Sequence, residues 1–410
     1  MLSKPRAETH KNRAGENIVR SAQLRPHSGV VAGMPRTENR STLRRFPAIA
    51  AITLALAGAT TLAAADRAEA AAAPQTLKKA VWGVTEHNGQ SLFPIYKDLG
   101  IGIFQTQVRW DALAPTRPAN ATDPNDPAYQ WGTALDQIIK DAEASGLTVM
   151  LQIIGAPGWA NGGREFIWPA TNPVDYGDFA TALSRRYPTV RHWMAWGEPN
   201  SARGFGPVVN GPHSNRTKLS KRAQQAPRLY AQLLDAAYQG LKAANPANLV
   251  IGGNTYQGAG KPVIRTLQWL RYLRLPNGAR PRMDMWGHNP YTDRRPDLKD
   301  EPSERGLIDF SDLGRLVKAL DKAYKGQRLK LFLSEWGVPT GFDQDLEIRV
   351  KKKEAVKWVK SGMRIVRKSK ISNRIYTLGW SVPVDTARNP QGLLDRSLRP
   401  KATYKAFKKG

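Results

Sequence analysis

Two glutamates follow apolar runs of the kind that form buried strands. Glu198 lies in the motif Trp-Gly-Glu-Pro-Asn, and Glu335 lies in Ser-Glu-Trp-Gly-Val. The apolar runs that precede them span residues 191–195 and 330–333. Two carboxyl groups facing one cavity can cleave a glycosidic bond, with one as acid and the other as nucleophile. Carboxyl groups far apart in sequence can meet in this way in a (β/α)₈ barrel, because its strand ends share one rim.

Strands and helices alternate from about residue 80 onward, which predicts a parallel sheet. The predicted strands span residues 80–84, 101–108, 148–154, 190–195, 249–252, 283–287, 329–333 and 375–380. Amphipathic stretches between them predict helices over residues 92–99, 133–145, 173–187, 228–244, 262–274, 312–324 and 353–368, and a last helix over 401–407 closes the chain. No G-x-G-x-x-G motif opens the first helix, so a dinucleotide-binding fold has little support. We therefore expect an α/β protein with a single (β/α)₈ TIM barrel over residues 78–410.

Polar and aromatic residues gather after the predicted strands, at the end where a barrel builds its active site. Besides the two glutamates they include Arg109, Trp159, Asn200, His288, Asn289, Tyr291, Trp336 and Trp380. Each residue alone has an ordinary structural explanation, but their coincidence at one rim predicts a site. A long segment over residues 201–226 is expected to form a loop above this rim. The alternative is that both glutamates are structural and pair with buried arginines.

The first 73 residues are expected to be a basic N-terminal region that includes a secretory signal. Two arginines at positions 44 and 45 precede an apolar h-region at about residues 46–65, and Ala-Glu-Ala at 68–70 offers a cleavage site. The paired arginines suggest twin-arginine export. Met34 is an alternative start, and an uncleaved membrane anchor is an alternative to a cleaved signal. The expected location is outside the cell or at its surface.

Composition excludes several chemistries and indicates anionic partners. The chain has no cysteine, which excludes disulfides, thiolate metal sites and thiol nucleophiles. Its net charge is +28, and residues 71–410 retain 51 basic and 29 acidic residues. Such an excess favours anionic cell-wall polymers such as teichoic acids or acidic polysaccharides. No nucleic-acid motif is present. The basic residues are spread out, mainly along the helix predicted over 353–368, so we interpret them as a solvated face.

The motifs together resemble the glycoside hydrolases of clan A, especially the secreted bacterial domains of families 39 and 5. The resemblance runs from about residue 81 to residue 407. Its matching segments are residues 108–115, 155–160, 196–200, 288–291, 334–337, Trp380, 392–395 and 399–404. The resemblance implies cleavage of O-glycosidic bonds in an oligo- or polysaccharide, with no metal or organic cofactor. We expect the protein to act as a monomer.

The resemblance also implies a role for individual residues. Glu198 would be the acid and then the base of a retaining mechanism, and Glu335 the nucleophile. Arg109 would hold and ionise Glu335, and Tyr291 would orient the same carboxylate. His288 would line the site near the acid, and the sugar ring would stack on Trp380.

One departure from the clan A pattern concerns the residue before the acid. These enzymes usually have Asn there, hydrogen-bonded to the sugar 2-hydroxyl, whereas this chain has Gly197. The departure implies a slower enzyme, a sugar with different chemistry at carbon two, another donor such as Asn200 or Asn289, or lost catalysis. The competing interpretation is therefore a catalytically impaired barrel that binds carbohydrate at the cell wall.

Overall fold

The computed structural model describes residues 77–208, 218–256, 263–304, 306–344 and 346–410. The expected export signal, its cleavage site and the alternative membrane anchor fall in the first 76 residues, outside the described residues. Within the described ranges, no helix combines the length and apolar character needed to cross a bilayer.

Eight parallel strands close into a barrel, as the sequence predicts. They are β1 (Lys78–Trp82), β2 (Ile101–Arg109), β3 (Thr148–Ile154), β4 (His192–Ala195), β5 (Leu249–Tyr256), β6 (Met285–Asn289), β7 (Lys330–Trp336) and β8 (Ile375–Trp380). Each strand pairs with its neighbours in chain order, and β1 closes the ring by pairing with both β2 and β8. The predicted bounds of β3 and β8 are correct. In contrast, β5 and β7 run four and three residues beyond their predicted ends, towards the rim.

The helices lie on the outside of the barrel, where their apolar faces cover the strands. Those of six or more residues are α1 (Phe93–Asp98), α2 (Ala134–Ala144), α3 (Pro173–Arg186), α4 (Gln225–Ala244), α5 (Thr266–Tyr272), α6 (Leu313–Ala323), α7 (Lys352–Lys368) and α8 (Ala402–Lys409). Two single-turn helices, Trp110–Leu113 and Gly158–Asn161, lie in the loops after β2 and β3. Local signals set some of the ends. In α3, for example, proline occupies the first turn and the Asn172 side chain accepts a hydrogen bond from the Val174 amide.

The lower part of the barrel interior is sealed by one ring of side chains, one from each strand. The ring consists of Ala80, Ile103, Met150, Met194, Ile251, Met285, Phe332 and Tyr376, all of them buried. Because side chains alternate across a strand, residues two and four positions further along point into the upper half of the barrel. On β2 these are Gln105 and Gln107, and on β3 the residue is Gln152. The interior therefore changes from apolar to polar as it approaches the rim.

A buried lysine joins the start of the barrel to the last helix. The Lys79 ammonium donates hydrogen bonds to the carbonyl oxygens of Leu99, Phe407 and Lys408. Burial, with a smaller contribution from nearby Arg367, lowers the pKa of Lys79 to about 8. Since Lys79 lies at the beginning of β1, the end of α8 lies beside the lower end of the barrel, opposite the rim.

Candidate active site

A β-bulge brings Glu335 into the barrel. On β7, Phe332 belongs to the interior ring while Leu331 and Leu333 pack outside, so strict alternation would turn residue 335 outward. The pairing with β8 shifts register here, because Leu378 pairs with Leu333 but Trp380 pairs with Trp336. The extra residue in β7 allows Ser334 and Glu335 to face the interior in succession.

Glu198 reaches the same cavity by a different route. It follows β4 in a turn in which both Trp196 (φ 69°) and Glu198 (φ 43°) adopt left-handed backbone conformations. Such conformations are uncommon for residues with side chains and cluster at functional sites. The turn is held by the indole nitrogen of Trp196, which donates to the carbonyl oxygen of Gly204 at 2.6 Å.

Asn289 and Tyr291 connect the two glutamates at the end of β6. The Asn289 amide donates to Oε1 of Glu198 at 2.9 Å, and the Tyr291 hydroxyl donates to Oε2 of Glu335 at 3.1 Å. Burial, together with the neighbouring Glu335, raises the pKa of Tyr291 well above its usual value. The phenol therefore stays protonated and serves as a donor.

A chain of polar groups fixes the orientation of Asn289. Ser334 Oγ lies 2.7 Å from Asn289 Oδ1 and 2.8 Å from Asn254 Oδ1. A hydroxyl has a single proton and can donate to only one of these oxygens, so we assign the Asn254 amide in the reversed orientation, in which its NH₂ donates to Ser334 and Ser334 donates to Asn289. This arrangement also gives the buried Asn254 NH₂ a partner. Asn289 must then point its own NH₂ at Glu198.

The carboxyl of Glu335 is harder to ionise than an ordinary glutamate. Burial, and then the neighbouring Glu198, raise its pKa from 4.5 to about 8, although hydrogen bonds from Tyr291 and Asn289 act in the opposite direction. Because Glu198 raises the pKa of Glu335, the two carboxyls titrate as an interacting pair. At neutral pH the raised pKa therefore keeps a proton on Glu335.

The raised pKa predicts a pH-dependent cost in stability. Between about pH 4.5 and 8 the folded protein keeps the Glu335 proton that the unfolded chain has lost, so the free energy of unfolding falls as pH rises through this window. Glu335→Gln removes the effect. We expect its melting temperature to exceed that of the unsubstituted protein on the order of several °C at pH 8 and to converge with it near pH 4.5.

Thermal unfolding from pH 4.5 to pH 8 measures this difference. Glu354→Gln is the matched control, because the Glu354 side chain is 43% exposed and its hydrogen bond from Lys357 lowers the pKa of its carboxyl, so it takes up no proton in this window. A constant offset between Glu335→Gln and the unsubstituted protein across the range would contradict the assignment of a raised pKa.

The two glutamates line a cavity of about 290 Å³. Its other lining residues include Gln107, Gln152, Phe166, Gly197 and Arg203. Gln107 donates to Gln152 Oε1 at 2.7 Å, and Gln152 Nε2 lies 3.0 Å from the weakly accepting sulfur of Met194. Phe166 is 40% exposed and provides an aromatic surface at the mouth. The cavity thus combines two carboxyls, two amides and an aromatic ring, a set suited to a sugar.

Arg109 does not hold Glu335, contrary to the expectation. Its guanidinium makes a two-pronged ion pair with Asp111, with Nε 2.7 Å from Oδ1, and it stacks on the Phe166 ring at 3.8 Å. The physical reason is local, since residue 109 ends β2 at the exposed rim and Asp111 lies only two residues further on. Among the described residues, no cation contacts the Glu335 carboxylate.

His288 and Asn200 are structural, and neither lines the cavity. The carbonyl oxygen of Ile308 can only accept, so His288 Nε2 carries the proton at 2.7 Å, and Nδ1 accepts from the Thr255 hydroxyl. Burial lowers the pKa of His288 to about 4, which keeps it neutral. The Asn200 amide bonds the backbone of Tyr256 and Ile264. Alternation along β6 explains the histidine, because it points outward when Asn289 points inward.

The three tryptophans expected at the site lie elsewhere. Trp336 and Trp380 are fully buried between barrel and helices, with ring centroids 5.5 Å apart, and Trp380 donates to the carbonyl oxygen of Gln391. Trp380 is therefore not the floor for a sugar, because Gly379 occupies the inward position on β8. Trp159 is partly buried and donates to the carbonyl oxygen of Ala114, so it supports the loop after β2.

Sequence reasoning missed Gln107, Gln152 and Phe166. The two glutamines could have been found, because they lie two and four positions beyond ring residues of their strands. Phe166 lies in a loop with no comparable signal. The predicted loop over residues 201–226 is only partly within the described residues, and Arg203 from it lines the cavity. Among the described residues, no cluster of three His, Asp or Glu side chains could hold a metal ion.

Comparison with known families and structures gives one family match and several fold matches. The family model described as Cellulase (glycosyl hydrolase family 5) matches residues 65–382. A family 39 glycoside hydrolase from Bacteroides cellulosilyticus is 16% identical, with a TM-score of 0.56 over 82% of this chain and 63% of its own. A monomeric beta-xylosidase from Caulobacter crescentus is 17% identical, with a TM-score of 0.56 over 81% of this chain and 67% of its own.

A glucosidase from Croceicoccus marinus is 16% identical, with a TM-score of 0.57 over 82% of this chain and 67% of its own. This chain therefore spans 63 to 67% of the length of these three structures. At such low identity these likenesses show a shared fold. No curated protein matches the chain significantly.

Proposed function

Because the chain belongs to the cellulase family, glycosyl hydrolase family 5, and is a glycosidase of the clan A type, we propose that Glu198 and Glu335 carry out its reaction. In this proposal the protein cleaves O-glycosidic bonds of an oligo- or polysaccharide with retention of configuration. The observation that carries the proposal is that two carboxyls, from the ends of β4 and β7, line one cavity, and each contacts a side chain at or just after the end of β6.

The proposed reaction has two steps. In the first, the Glu335 carboxylate attacks the anomeric carbon, and the bond to the leaving oxygen breaks as Glu198 protonates that oxygen. In the second, the Glu198 carboxylate takes a proton from water, whose oxygen replaces Glu335 on the anomeric carbon. Both residues then return to their starting states. The Tyr291 hydroxyl stabilises the Glu335 anion as it leaves.

The first step needs an ionised Glu335 and a protonated Glu198, so the pKa of Glu335 must fall from its raised value when substrate binds. Within the described residues, Glu335 is stabilised by donors from Tyr291 and Asn289 rather than by a cation. A nucleophile without a neighbouring positive charge remains more basic and keeps more of its reactivity. Such a nucleophile is also protonated, and therefore inactive, at a higher pH than a carboxylate that is paired with a cation.

Gln152 is proposed to supply the amide that Gly197 lacks. A Cβ on residue 197 would lie 2.8 Å from Gln152 Oε1, so the volume of a side chain at 197 is taken by the Gln152 amide. The Nε2 group of Gln152 has only the Met194 sulfur as an acceptor among the described residues. It can therefore donate to the sugar 2-hydroxyl from the neighbouring strand.

This role predicts a substrate-dependent loss in a Gln152→Ala variant. We expect kcat/KM for an aryl glycoside with a 2-hydroxyl to fall by about 10- to 100-fold, the effect of removing one such hydrogen bond. For the matching 2-deoxy glycoside the variant and the unsubstituted protein should be nearly equal. Equal losses on both substrates would mean that Gln152 acts only in packing.

Mechanism-based labelling tests the proposed function. An activated 2-deoxy-2-fluoro glycoside should inactivate the protein and leave a glycosyl group on the peptide that contains Glu335. The first sugars to test are xylosides and glucosides, because two of the structurally similar proteins carry those names. A protein that binds saccharides but forms no adduct across a broad panel would instead be the impaired, carbohydrate-binding barrel. Two features favour this second candidate: Gly197, and the lack of a cation at Glu335 among the described residues.

The location of the reaction is also a proposal. The signal-like segment at about residues 46–65 and the high positive charge support export and a place of action at or outside the cell surface. Fractionation of cells that express the full chain, followed by N-terminal sequencing, tests export and cleavage together.

A further inference from the structure

A groove between α7 and α8 brings six basic side chains together. It has a volume of about 560 Å³. Its walls include Lys360, Arg364, Arg367, Lys368, Lys405 and Lys409, and no acidic residue is among its lining residues. All six side chains are exposed. From the sequence we interpreted this charge as dispersed, but the fold brings the end of α7 against α8 and concentrates it.

Helix geometry arranges these cations in rows. On α7, Lys360, Arg364 and Lys368 are four residues apart and therefore lie on one face, with roughly 6 Å of helix between successive members. On α8, Lys405 and Lys409 have the same spacing. The two rows border one groove, so an extended chain lying in it would meet a cation about once in every helical turn.

The groove cations differ from other lysines on the same helices. Lys357 on α7 pairs with Glu354, and Lys408 on α8 pairs with Asp98. In the part of the chain that the structure describes, none of the six groove cations has an acidic partner within ion-pair distance. Like charges gathered without counter-charges repel one another, and a bound polyanion would relieve that repulsion.

The floor of the groove indicates the kind of polyanion. It is formed by small or aliphatic side chains, Val356, Met363, Ala402 and Ala406, and has no aromatic ring on which nucleic acid bases could stack. The large hydrophobic side chains exposed in the described residues, such as Val174 and Phe342, are not among its lining residues, so nothing there would insert into a lipid surface. An acidic sugar chain needs neither feature.

The groove is remote from the catalytic cavity. Lys79, at the start of β1, bonds the last carbonyl groups of α8, which places the end of α8 beside the lower end of the barrel. Glu198 and Glu335 lie at the opposite rim. A ligand in the groove therefore does not occupy the cavity.

We infer that the groove between α7 and α8 binds a strand of acidic polysaccharide, with carboxylate or sulfate groups along the strand pairing with the two rows of cations. The choice of carbohydrate over other polyanions rests on the proposed function. The groove would hold the protein on an anionic glycan while the cavity acts on glycosidic bonds.

The test compares two variants of the full chain, each with four neutralised lysines. The groove variant carries Lys360→Gln, Lys368→Gln, Lys405→Gln and Lys409→Gln. The control variant carries substitutions to Gln at four exposed lysines that do not line the groove, Lys140, Lys218, Lys318 and Lys322. The net charge of both variants is identical. Binding of fluorescent polygalacturonate (carboxylated) and heparin (sulfated) is measured at several salt concentrations, with dextran as a neutral glycan.

We expect the groove variant to bind at least one acidic glycan about tenfold or more weakly than the unsubstituted protein, with a shallower salt dependence. The control variant should bind within about twofold of the unsubstituted protein. Equal weakening in both variants, or no binding of either acidic glycan by the unsubstituted protein, would overturn the inference. So would a stronger groove-dependent affinity for a single-stranded oligonucleotide or for phosphatidylserine vesicles.

Aryl glycoside turnover in the same preparations separates this inference from the proposed function. The groove variant should retain turnover, since none of its substitutions lies at the cavity. Glu335→Gln should retain glycan binding while losing turnover. If groove binding is intact but no glycoside is cleaved, the proposed function fails and the groove assignment stands.

Discussion

Glu335→Gln is expected to lower kcat for aryl glycosides on the order of 10⁵-fold, the largest effect of any single substitution. The amide has almost the same shape as the carboxyl, but it cannot attack the anomeric carbon, and loss of a nucleophile costs enzymes about this much. The fold should survive, because the change also removes the burial of an ionisable group. Initial rates with a 2,4-dinitrophenyl glycoside measure the loss, and Glu354→Gln should leave them unchanged.

Rescue by azide, a small nucleophile added in solution, provides an independent test of the role of Glu335. In a Glu335→Gly variant, added azide should restore turnover and give a glycosyl azide of inverted configuration, because azide then attacks directly from the side of the missing carboxylate. A product of retained configuration, or a loss in Glu335→Gln smaller than about tenfold, would remove Glu335 from the nucleophile role.

Glu198→Ala is expected to give the second largest loss, and its size should depend on the leaving group. For a poor leaving group such as an alkyl alcohol or a second sugar, kcat/KM should fall by about 10²- to 10⁴-fold, because the departing oxygen must otherwise leave as an anion. For a 2,4-dinitrophenyl leaving group, which needs no proton, the first step should be nearly unaffected. Azide should then accelerate the second step and yield a glycosyl azide of retained configuration.

The contrast between the two variants is the informative measurement. Azide products of opposite configuration from Glu198→Ala and Glu335→Gly would establish which carboxyl is acid and which is nucleophile. If the loss in Glu198→Ala is the same for good and poor leaving groups, Glu198 does not protonate the leaving oxygen, and its contact with Asn289 is then a structural one.

The positions of the two glutamates could be predicted because each follows an apolar run, and runs of that kind become barrel strands. The alternation of side chains along a strand could also have been applied to β6. It predicts that His288 points outward and Asn289 points inward. It would have misled on β7, where strict alternation turns residue 335 away from the cavity. Only the bulge next to Ser334 corrects it, and a bulge depends on pairing with a neighbouring strand rather than on local sequence.

Arg109 shows a second limit of pattern reasoning. Its place at the end of β2 agrees with the clan A resemblance, but the acidic residue that it pairs with is only two positions away, at Asp111. A nearby counter-charge is reached with little loss of chain entropy, whereas a carboxylate across the barrel is held by other strands. The prediction for Trp336 and Trp380 was wrong for a related reason. Tryptophan can either stack against a sugar or pack in a hydrophobic core, and the residue type alone does not distinguish the two.

The ring of eight side chains below the cavity determines how substrate, product and water enter and leave. Since the ring closes the interior beneath the carboxyls, the cavity opens only at the rim and does not continue through the barrel. The alcohol released in the first step must depart through that opening before a water molecule can arrive to finish the second. A sugar chain therefore cannot pass through the barrel. The bond that is cleaved must belong to a sugar chain that lies across the open end or enters it from above.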